Sequence, residues 1–400
     1  MKQNALVVAG GQWQVPLIQY LKDNQYNVTV VDPYLTSKGV LIGDDQIQVD
    51  VREKELILSK INKQYNIVCT DQSDISVETV AFLAEKLGLK GNDKNVVTKF
   101  SNKYLSRKYA KSVNVPVPVF TEVSSLSEMK RFIDKVGCPL MLKPCDAQSS
   151  KGIHKIEEGT SEEQFNLYLQ DALKYSFVKK AILEQFVTGY EITVEGYCAN
   201  GKHRVLTMSK KRHFKTGIAS TLTYPAQIPA EIEKQIIEAD NRYVDNSGLV
   251  FGPTHAEYIV NEETGNFYLV EIACRGGGTL ISSDIVKWVS GFDVYDAYLK
   301  CLQGKDVDVY ENPISRKSAE LHFFDFGSGK IVSLDGVKEA SKVEGVLMLD
   351  FDYRVGDILK PCEDDRSRQG FVIVLAESPG ELHERIEKVC STIKVELSDE

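Results

Sequence analysis

The sequence predicts an α/β and α+β multidomain protein, with a parallel-sheet domain first and a small α+β unit last. Three observations carry this. β-like and helix-like runs alternate over the first hundred residues. The alternation stops at a basic stretch followed by VPVPVF, where Pro116 and Pro118 enforce an extended chain. From about residue 315, short β-like runs lead to one terminal helix. A chain of 400 residues is too long for one small core.

The first domain, residues 1–100, opens with the strand NALVVAG, a GGQWQ turn, the helix VPLIQYLKDNQ and the strand YNVTVVDP. The helix ELILSKINKQ, the strand YNIVCTD and the helix VETVAFLAEKLGL follow. Such alternation builds a parallel sheet covered by helices. The middle domain, residues 101–314, begins with SNKYLSRKYAKS, a basic helix whose charges read as a solvated face, Lys103 excepted. A subdomain over about 115–187 holds the helix SSLSEMKRFIDKV, with a capping box from Ser125 to Glu128 and a stop at Gly137. The strand PLMLKP, a small-residue loop, the strand GIHKI and a helix over 162–175 come next. The last unit, 315–400, has the strands SAELHFFDF, GVLMLDF and GFVIVLA and the helix GELHERIEKVCSTI. Residues 396–400 are expected to fray.

Composition narrows the function. A net charge of −9 argues against general nucleic-acid binding. No apolar run approaches a membrane span of about 20 residues, and the start does not read as a signal peptide. Eight cysteines without a C-x-x-C pair read as free thiols in a reducing cytoplasm.

The run THAEYIVNEETGNFYLVEIACRGGG reads as a hairpin about the polar turn Asn261–Asn266. Glu257 should then face Glu271, and His255 face Ala273. His255, Glu257, Glu271, Ala273 and Arg275 share one face, while Ala256, Tyr258, Val260, Val270 and Ile272 fill the core side. Opposed carboxylates about 5 Å apart repel. A divalent cation between them, Mg²⁺ or Mn²⁺, relieves this; two glutamates on a solvated strand are the plainer alternative. KPCDAQSSKGI offers Lys143 and a small-residue loop suited to phosphate, or an ordinary turn. AILEQFVTGYEITVEGY offers a hinge backbone for adenine and a carboxylate, Glu191, for ribose, or a structural turn.

In order along the chain, the pieces resemble the ATP-grasp superfamily: Asn102-Lys103-Tyr104, the VPVPVF entry, KP…SSKG, E-x-F-V-x-G-x-E, H-x-E and E-x-x-x-R-G-G-G. H-A-E, E-I-A-C-R-G-G-G and the C-terminal GSGKI…DDRSRQGFV look most like the L-amino-acid ligase branch. The resemblance covers essentially the whole chain. It implies an ATP-grasp fold with a Rossmann-like N-terminal domain. It also implies an ADP-forming ligase that joins a small-molecule carboxylate to an amine through an acyl phosphate.

The resemblance further implies individual roles. Lys103 and Lys143 would contact ATP phosphates under a lid carrying Gln148–Gly152, with Ser149, Ser150 and Gly152 in the phosphate loop. Glu184, Phe186 and Val187 would hold adenine and Glu191 the ribose. Glu257 and Glu271 would bind Mg²⁺. Arg275, with backbone N–H groups of Gly276 and Gly277, would stabilise the acyl phosphate, and His255 would line the substrate pocket. Lys210 or Lys211 would add phosphate charge. A homodimer is a family expectation. One departure stands out: Ala273 occupies the position of the asparagine in the common E-x-N metal motif.

Three alternatives remain at this level. One is ATP-grasp chemistry on a phosphorylated, purine-pathway type of substrate. Another is a nucleotide-binding regulator without catalysis. The third is a dinucleotide-dependent oxidoreductase, suggested by Gly10-Gly11 and Asp32 but lacking the G-x-G-x-x-G spacing, since Val15 takes the third position.

Overall fold

A computed structural model describes residues 2–147, 151–214, 218–363 and 367–398. Gln3–Val8 (β1), Tyr26–Val31 (β2), Asp45–Ile47 (β3) and Ile67–Cys69 (β4) form a parallel sheet in the order β3-β2-β1-β4. Ala5, Leu6, Val7 and Val8 are all fully buried. That is why β1 reads as an unbroken apolar run: helices cover both faces of the sheet.

The turn after β1 is closed by Asp32. Its Oδ2 accepts from the Gly10 N–H (2.9 Å), and its Oδ1 accepts from the Tyr34 N–H and the Ser37 hydroxyl. Both carboxylate oxygens are thus committed within the protein, which removes the ribose-binding acid that an oxidoreductase reading needs.

Phe120–Val123 (β5), Leu140–Pro144 (β6), His154–Ile156 (β7) and Ala181–Gln185 (β8) form an antiparallel sheet in the order β5-β8-β6-β7. The helices Leu126–Val136 and Glu162–Tyr175 pack on it. The Ser125–Glu128 capping box is formed, and the first helix ends at Gly137 with φ +81°.

The largest sheet takes Tyr190–Ala199 (β9), Lys202–His213 (β10), Ala219–Tyr224 (β11), Gly252–Val260 (β12), Phe267–Ala273 (β13) and Ser318–Phe323 (β14). After Gly329–Asp335 (β15) come Val346–Asp350 (β16), Ile358–Leu359 (β17), Phe371–Ala376 (β18) and Lys394–Ser398 (β19). The large sheet runs β13-β12-β9-β10-β11-β14-β18-β16, and a small one runs β17-β15-β19. Residues after 315 extend the central sheet through β14, β18 and β16 and also bury a core cluster of their own, which includes Phe324, Phe351, Val372, Leu382 and Val389. The frayed end expected at 396–398 is instead the edge strand β19, paired with β15. Trp13 packs edge-on against Phe371, and the Trp288 indole N–H reaches the Ser318 and Ala376 carbonyls; both tryptophans join units of the fold. All eight cysteines are free, and among the described residues no helix is long and apolar enough to cross a membrane.

Candidate functional site

Three adjacent strands of the large sheet place the acids. In β12 and β13, Glu257 faces Glu271 and His255 faces Ala273, the predicted register. Across β12 and β9, His255 faces Glu195 and Glu257 faces Thr193. A bulge between Glu257 and Tyr258 shifts the remainder, so Leu269 is fully buried and Val270 only partly. Val270 was expected in the core; the extra residue of the bulge turns the alternation over.

Each of the facing carboxylates is paired with a lysine of its own. Lys211 Nζ lies 3.0 Å from Glu257 Oε1 and also bonds Glu191. Lys103 Nζ lies 3.1 Å from Glu271 Oε1 and donates to the Ala147 carbonyl (2.8 Å). Burial works against a charge on Lys211, but Glu257 and Glu191 outweigh it and raise its pKa. Burial likewise opposes the charge on Glu257, yet Lys211 and His255 hold its carboxyl well below the ordinary range. Strand alternation sends Lys210 and Lys211 to opposite faces of the sheet. Lys211 points to the acids, whereas Lys210 lies over the Tyr190 ring, 4.2 Å from its centroid.

His255 is wedged between acids, with Nδ1 2.7 Å from Glu195 Oε1 and Nε2 3.7 Å from Glu257 Oε1. Burial would lower its pKa, but Glu195 and Glu257 carry it up to about 9, so the ring is an imidazolium at neutral pH. Sequence reasoning missed Glu195. The signal was available, because Glu191, Thr193 and Glu195 alternate onto one face of β9.

The basic helix Lys103–Ser112 is not simply a solvated face. Arg107 is fully buried; its Nε donates to Glu184 Oε2 (3.1 Å) and its Nη2 to the Val270 carbonyl. Lys143 Nζ meets the other oxygen, Glu184 Oε1, at 2.6 Å. Burial alone would raise the Glu184 pKa, but Arg107 and Lys143 depress it to about 2. Arg107 follows Lys103 by four residues, one helical turn, which is the signal that a solvated-face reading overlooks.

The Glu184 side chain is therefore an internal anchor for the hinge, and its backbone is paired inside the sheet between Phe120 and Met141. The Phe186 N–H donates to the Pro139 carbonyl (3.0 Å), and Lys155 lies over the Phe186 ring at 4.6 Å. Val187 follows it in the hinge. Glu191 sits between Lys211 and His213, whose Nε2 is 3.1 Å from Glu191 Oε2.

Gly152 has φ +66° and lies against Pro144 and Ala172, where a Cβ would be crowded at 3.1–3.2 Å. Ser149 and Ser150 lie outside the described residues, as does Arg366 of the C-terminal DDR run.

The loop after β13 is tied to the N-terminal domain. Arg275 binds Asp74 through Nε–Oδ1 (2.8 Å) and Nη2–Oδ2 (2.9 Å). Burial opposes both charges, but the pairing raises the arginine pKa and lowers that of Asp74. The Gly276 N–H, expected to face a ligand, donates to Asp71 Oδ1 (2.9 Å). Asp71 also accepts from the Ser282 and Tyr295 hydroxyls, so it pins the loop. A Cβ at 276 would lie 2.2 Å from Ser282 Cβ, so only glycine fits. Gly277 lies beside Glu195, 3.1 Å from where its Cβ would be.

No group of three or more His, Cys, Asp or Glu residues with metal-site geometry exists among the described residues. Mg²⁺ commonly takes one or two carboxylates and fills its remaining positions with water and phosphate oxygens. The Glu257–Glu271 pair fits that donor set, each acid being paired here with a lysine ammonium.

Known proteins resemble this chain in sequence and in fold. A family model for the ATP-grasp domain matches residues 136–284, and one for the L-amino acid ligase C-terminal domain 2 matches 322–398. Alanine–anticapsin ligase of Bacillus subtilis is 27% identical over 281 residues, covering 64% of this chain and 58% of the relative. The uncharacterised protein y4rH of Sinorhizobium fredii is 22% identical over 344 residues, covering 85% and 70%. The crystal structure of an L-amino acid ligase from Bacillus licheniformis superposes with a TM-score of 0.81 over 100% of both chains at 19% identity, a likeness of fold. Residues 136–284 are thus of the ATP-grasp domain type, and residues 322–398 are of the L-amino acid ligase C-terminal type.

Proposed function

We propose that this chain is an ATP-dependent carboxylate–amine ligase that joins amino-acid substrates through an acyl phosphate, releasing ADP and phosphate. The observation that carries the reading is the Glu257–Glu271 pair, faced by Lys211 and Lys103 on one side of the sheet. The match of the C-terminal region to the L-amino acid ligase model favours amino acids over phosphorylated purine precursors.

In this reading Lys103 and Lys143 hold the ATP phosphates, and the hinge backbone beyond Glu184, at Phe186 and Val187, holds adenine, with the Glu191 carboxylate on the ribose. Glu257 and Glu271 hold Mg²⁺, with Mn²⁺ as substitute, and the ion neutralises phosphate charge when bound. Gly152, with φ +66°, turns the chain at the end of the phosphate loop. Arg275, fixed by Asp74, presents its charge to the carboxylate being activated, beside the Gly277 backbone. Gly276 serves as a packing point and keeps the loop in place. His255, an imidazolium held by Glu195, supplies a fixed positive wall to the substrate pocket. Preorganised charge of this kind supplies most of the rate enhancement in phosphoryl transfer. The β5–β8 sheet closes over the site and keeps water from the acyl phosphate.

The test is a pairwise screen of amino acids for phosphate release with Mg²⁺ and ATP, followed by mass spectrometry of products. A dipeptide formed with matched ADP supports the proposal. ADP release driven only by phosphorylated precursors would overturn the substrate class.

A further inference from the structure

The basic helix Lys103–Ser112 carries cations at four-residue steps, Lys103, Arg107 and Lys111, which share one side of it. The first two meet acids, Glu271 and Glu184. The Lys111 ammonium has no partner among the described residues. Lys111 lines a cavity of about 850 Å³ bounded by this helix, the extended linker 114–119 and the helix Leu126–Val136. Arg131 and Lys135 line the same cavity from the second helix, and they too have no acid partner among the described residues. Spacing explains the grouping: Glu128, Arg131, Phe132 and Lys135 recur at three- and four-residue steps and share a face, with Phe132 buried.

The acids that line the cavity are engaged elsewhere. Glu122 pairs with Lys180 at 2.5 Å. Glu128 closes the capping box, accepting from the Ser124 and Ser125 N–H groups at 2.7 and 3.1 Å. Three cations thus surround one cavity without a counter-charge, in a chain whose net charge is −9. A small anion carrying two or more charges supplies that counter-charge.

The cavity also straddles a joint. The Pro116 carbonyl accepts from the Leu269 N–H of β13, and the Val119 carbonyl from the Gln185 N–H at the end of β8, both at 2.8 Å. The linker wall is therefore fixed to the large sheet at one end and to the β5–β8 sheet at the other. Lys111 belongs to the helix that holds Glu271 and Glu184, whereas Arg131 and Lys135 belong to a helix packed on the β5–β8 sheet. Like charges on two sides of a joint repel, and an anion between them reverses the sign of the interaction.

We propose that this cavity is an effector site for a small multivalent anion, bearing phosphate or carboxylate groups, held between Lys111 on one side and Arg131 and Lys135 on the other. Bound there, the anion draws the β5–β8 sheet towards the helix Lys103–Ser112 and tightens nucleotide binding. The site uses none of the side chains assigned to ATP, metal or substrate. Binding of the anion stands apart from the proposed ligase reading; only its effect on the nucleotide rests on that reading.

The full-length protein is titrated by calorimetry with pyrophosphate or with citrate, at constant free Mg²⁺ and ionic strength, with and without a saturating non-hydrolysable ATP analogue. The analogue occupies Lys103 and Lys143, so the expected result in its presence is one anion per chain. Arg131→Glu should weaken that binding about tenfold or more and Lys111→Ala roughly 3–10-fold, both at exposed positions where the fold persists. Saturating anion should tighten the analogue about threefold or more in the wild type and not in Arg131→Glu; by linkage the analogue tightens the anion by the same factor. No binding, or equal binding in the wild type and both variants, would overturn the site. Binding that leaves the analogue affinity unchanged would overturn the coupling. Capture of an acidic peptide but of neither small anion would overturn the occupant. A failed amino-acid screen changes none of these binding results, so the two failures are distinguishable.

Discussion

Arg275 and Asp74 lie 201 residues apart in sequence and meet as a two-point ion pair, at 2.8 and 2.9 Å. The pair spans the N-terminal domain and the loop after β13, so the domain interface sets the direction of the guanidinium. Lysine carries the charge but not the fork. Arg275→Lys should therefore lower amine-dependent ADP release by on the order of 10²-fold while the fold persists. Asp74→Asn should give a smaller activity loss and cost about 2 kcal/mol of stability. Steady-state kinetics with thermal unfolding checks both; full activity in Arg275→Lys would remove Arg275 from the mechanism.

The acid pair gives a second expectation. Without metal, Lys211 and Lys103 neutralise Glu257 and Glu271. In the proposed reading Glu271→Gln takes away one of the two carboxylates that would hold the metal, and it leaves the sheet intact. Mn²⁺ binding in the presence of a non-hydrolysable ATP analogue should weaken by at least about tenfold. Chelation of divalent cations should stop turnover without lowering the unfolding temperature of the nucleotide-free protein, because the lysines already hold the acids. Metal titration and calorimetry measure the two effects.

Much of this was legible before any coordinates. Period-two alternation placed Glu257 opposite Glu271, and turn chemistry at Asn261–Asn266 fixed that register. The prediction slipped only past the bulge at Glu257/Tyr258, which no local residue pattern announces. Partners from distant segments were less legible. Nothing near Arg107 in sequence shows that it will be buried against Glu184, and nothing near Arg275 identifies Asp74. Helical and strand spacing still narrowed the choice: Arg107 lies one turn from Lys103, and Glu195 two steps of alternation from Glu191. Gly276 was misread because its backbone N–H is consumed by Asp71, more than 200 residues away.

Glu184 ties the hinge strand β8 to Arg107 and Lys143, and its depressed pKa of about 2 makes a pH prediction. A carboxylate whose folded pKa lies below its unfolded value near 4.3 stabilises the fold above that value. That contribution is lost as pH falls through about 2. Arg107→Met strips one partner from a buried acid and should cost about 3–5 kcal/mol at neutral pH. It should also shrink the acid-dependent loss between pH 4 and 2. Adding Glu184→Gln to Arg107→Met should recover part of the stability. Denaturant unfolding across pH 2–7 tests the cycle; strictly additive effects would show that the two residues are uncoupled.

Asp240 presents the opposite sign. It is fully buried; its Oδ1 accepts from the Tyr258 hydroxyl at 2.9 Å, and its Oδ2 has no hydrogen-bond partner among the described residues. His203 Nδ1 lies 3.8 Å from Oδ2 but bonds Asn241 at 2.8 Å, and burial lowers the His203 pKa to about 4, so it offers no charge at neutral pH. Burial pushes the Asp240 carboxyl up to about 7. A group whose folded pKa exceeds its unfolded value near 3.9 gives stability that is complete below that value and lost as pH rises to about 7. Asp240→Asn keeps the acceptor for Tyr258 and removes the ionisation. It should raise stability by roughly 1–3 kcal/mol at pH 8, change little at pH 4, and flatten the decline between them. Thermal melts of the two proteins at pH 4, 6 and 8 decide the matter: parallel curves would mean that Asp240 is ionised throughout and that the decline comes from other groups.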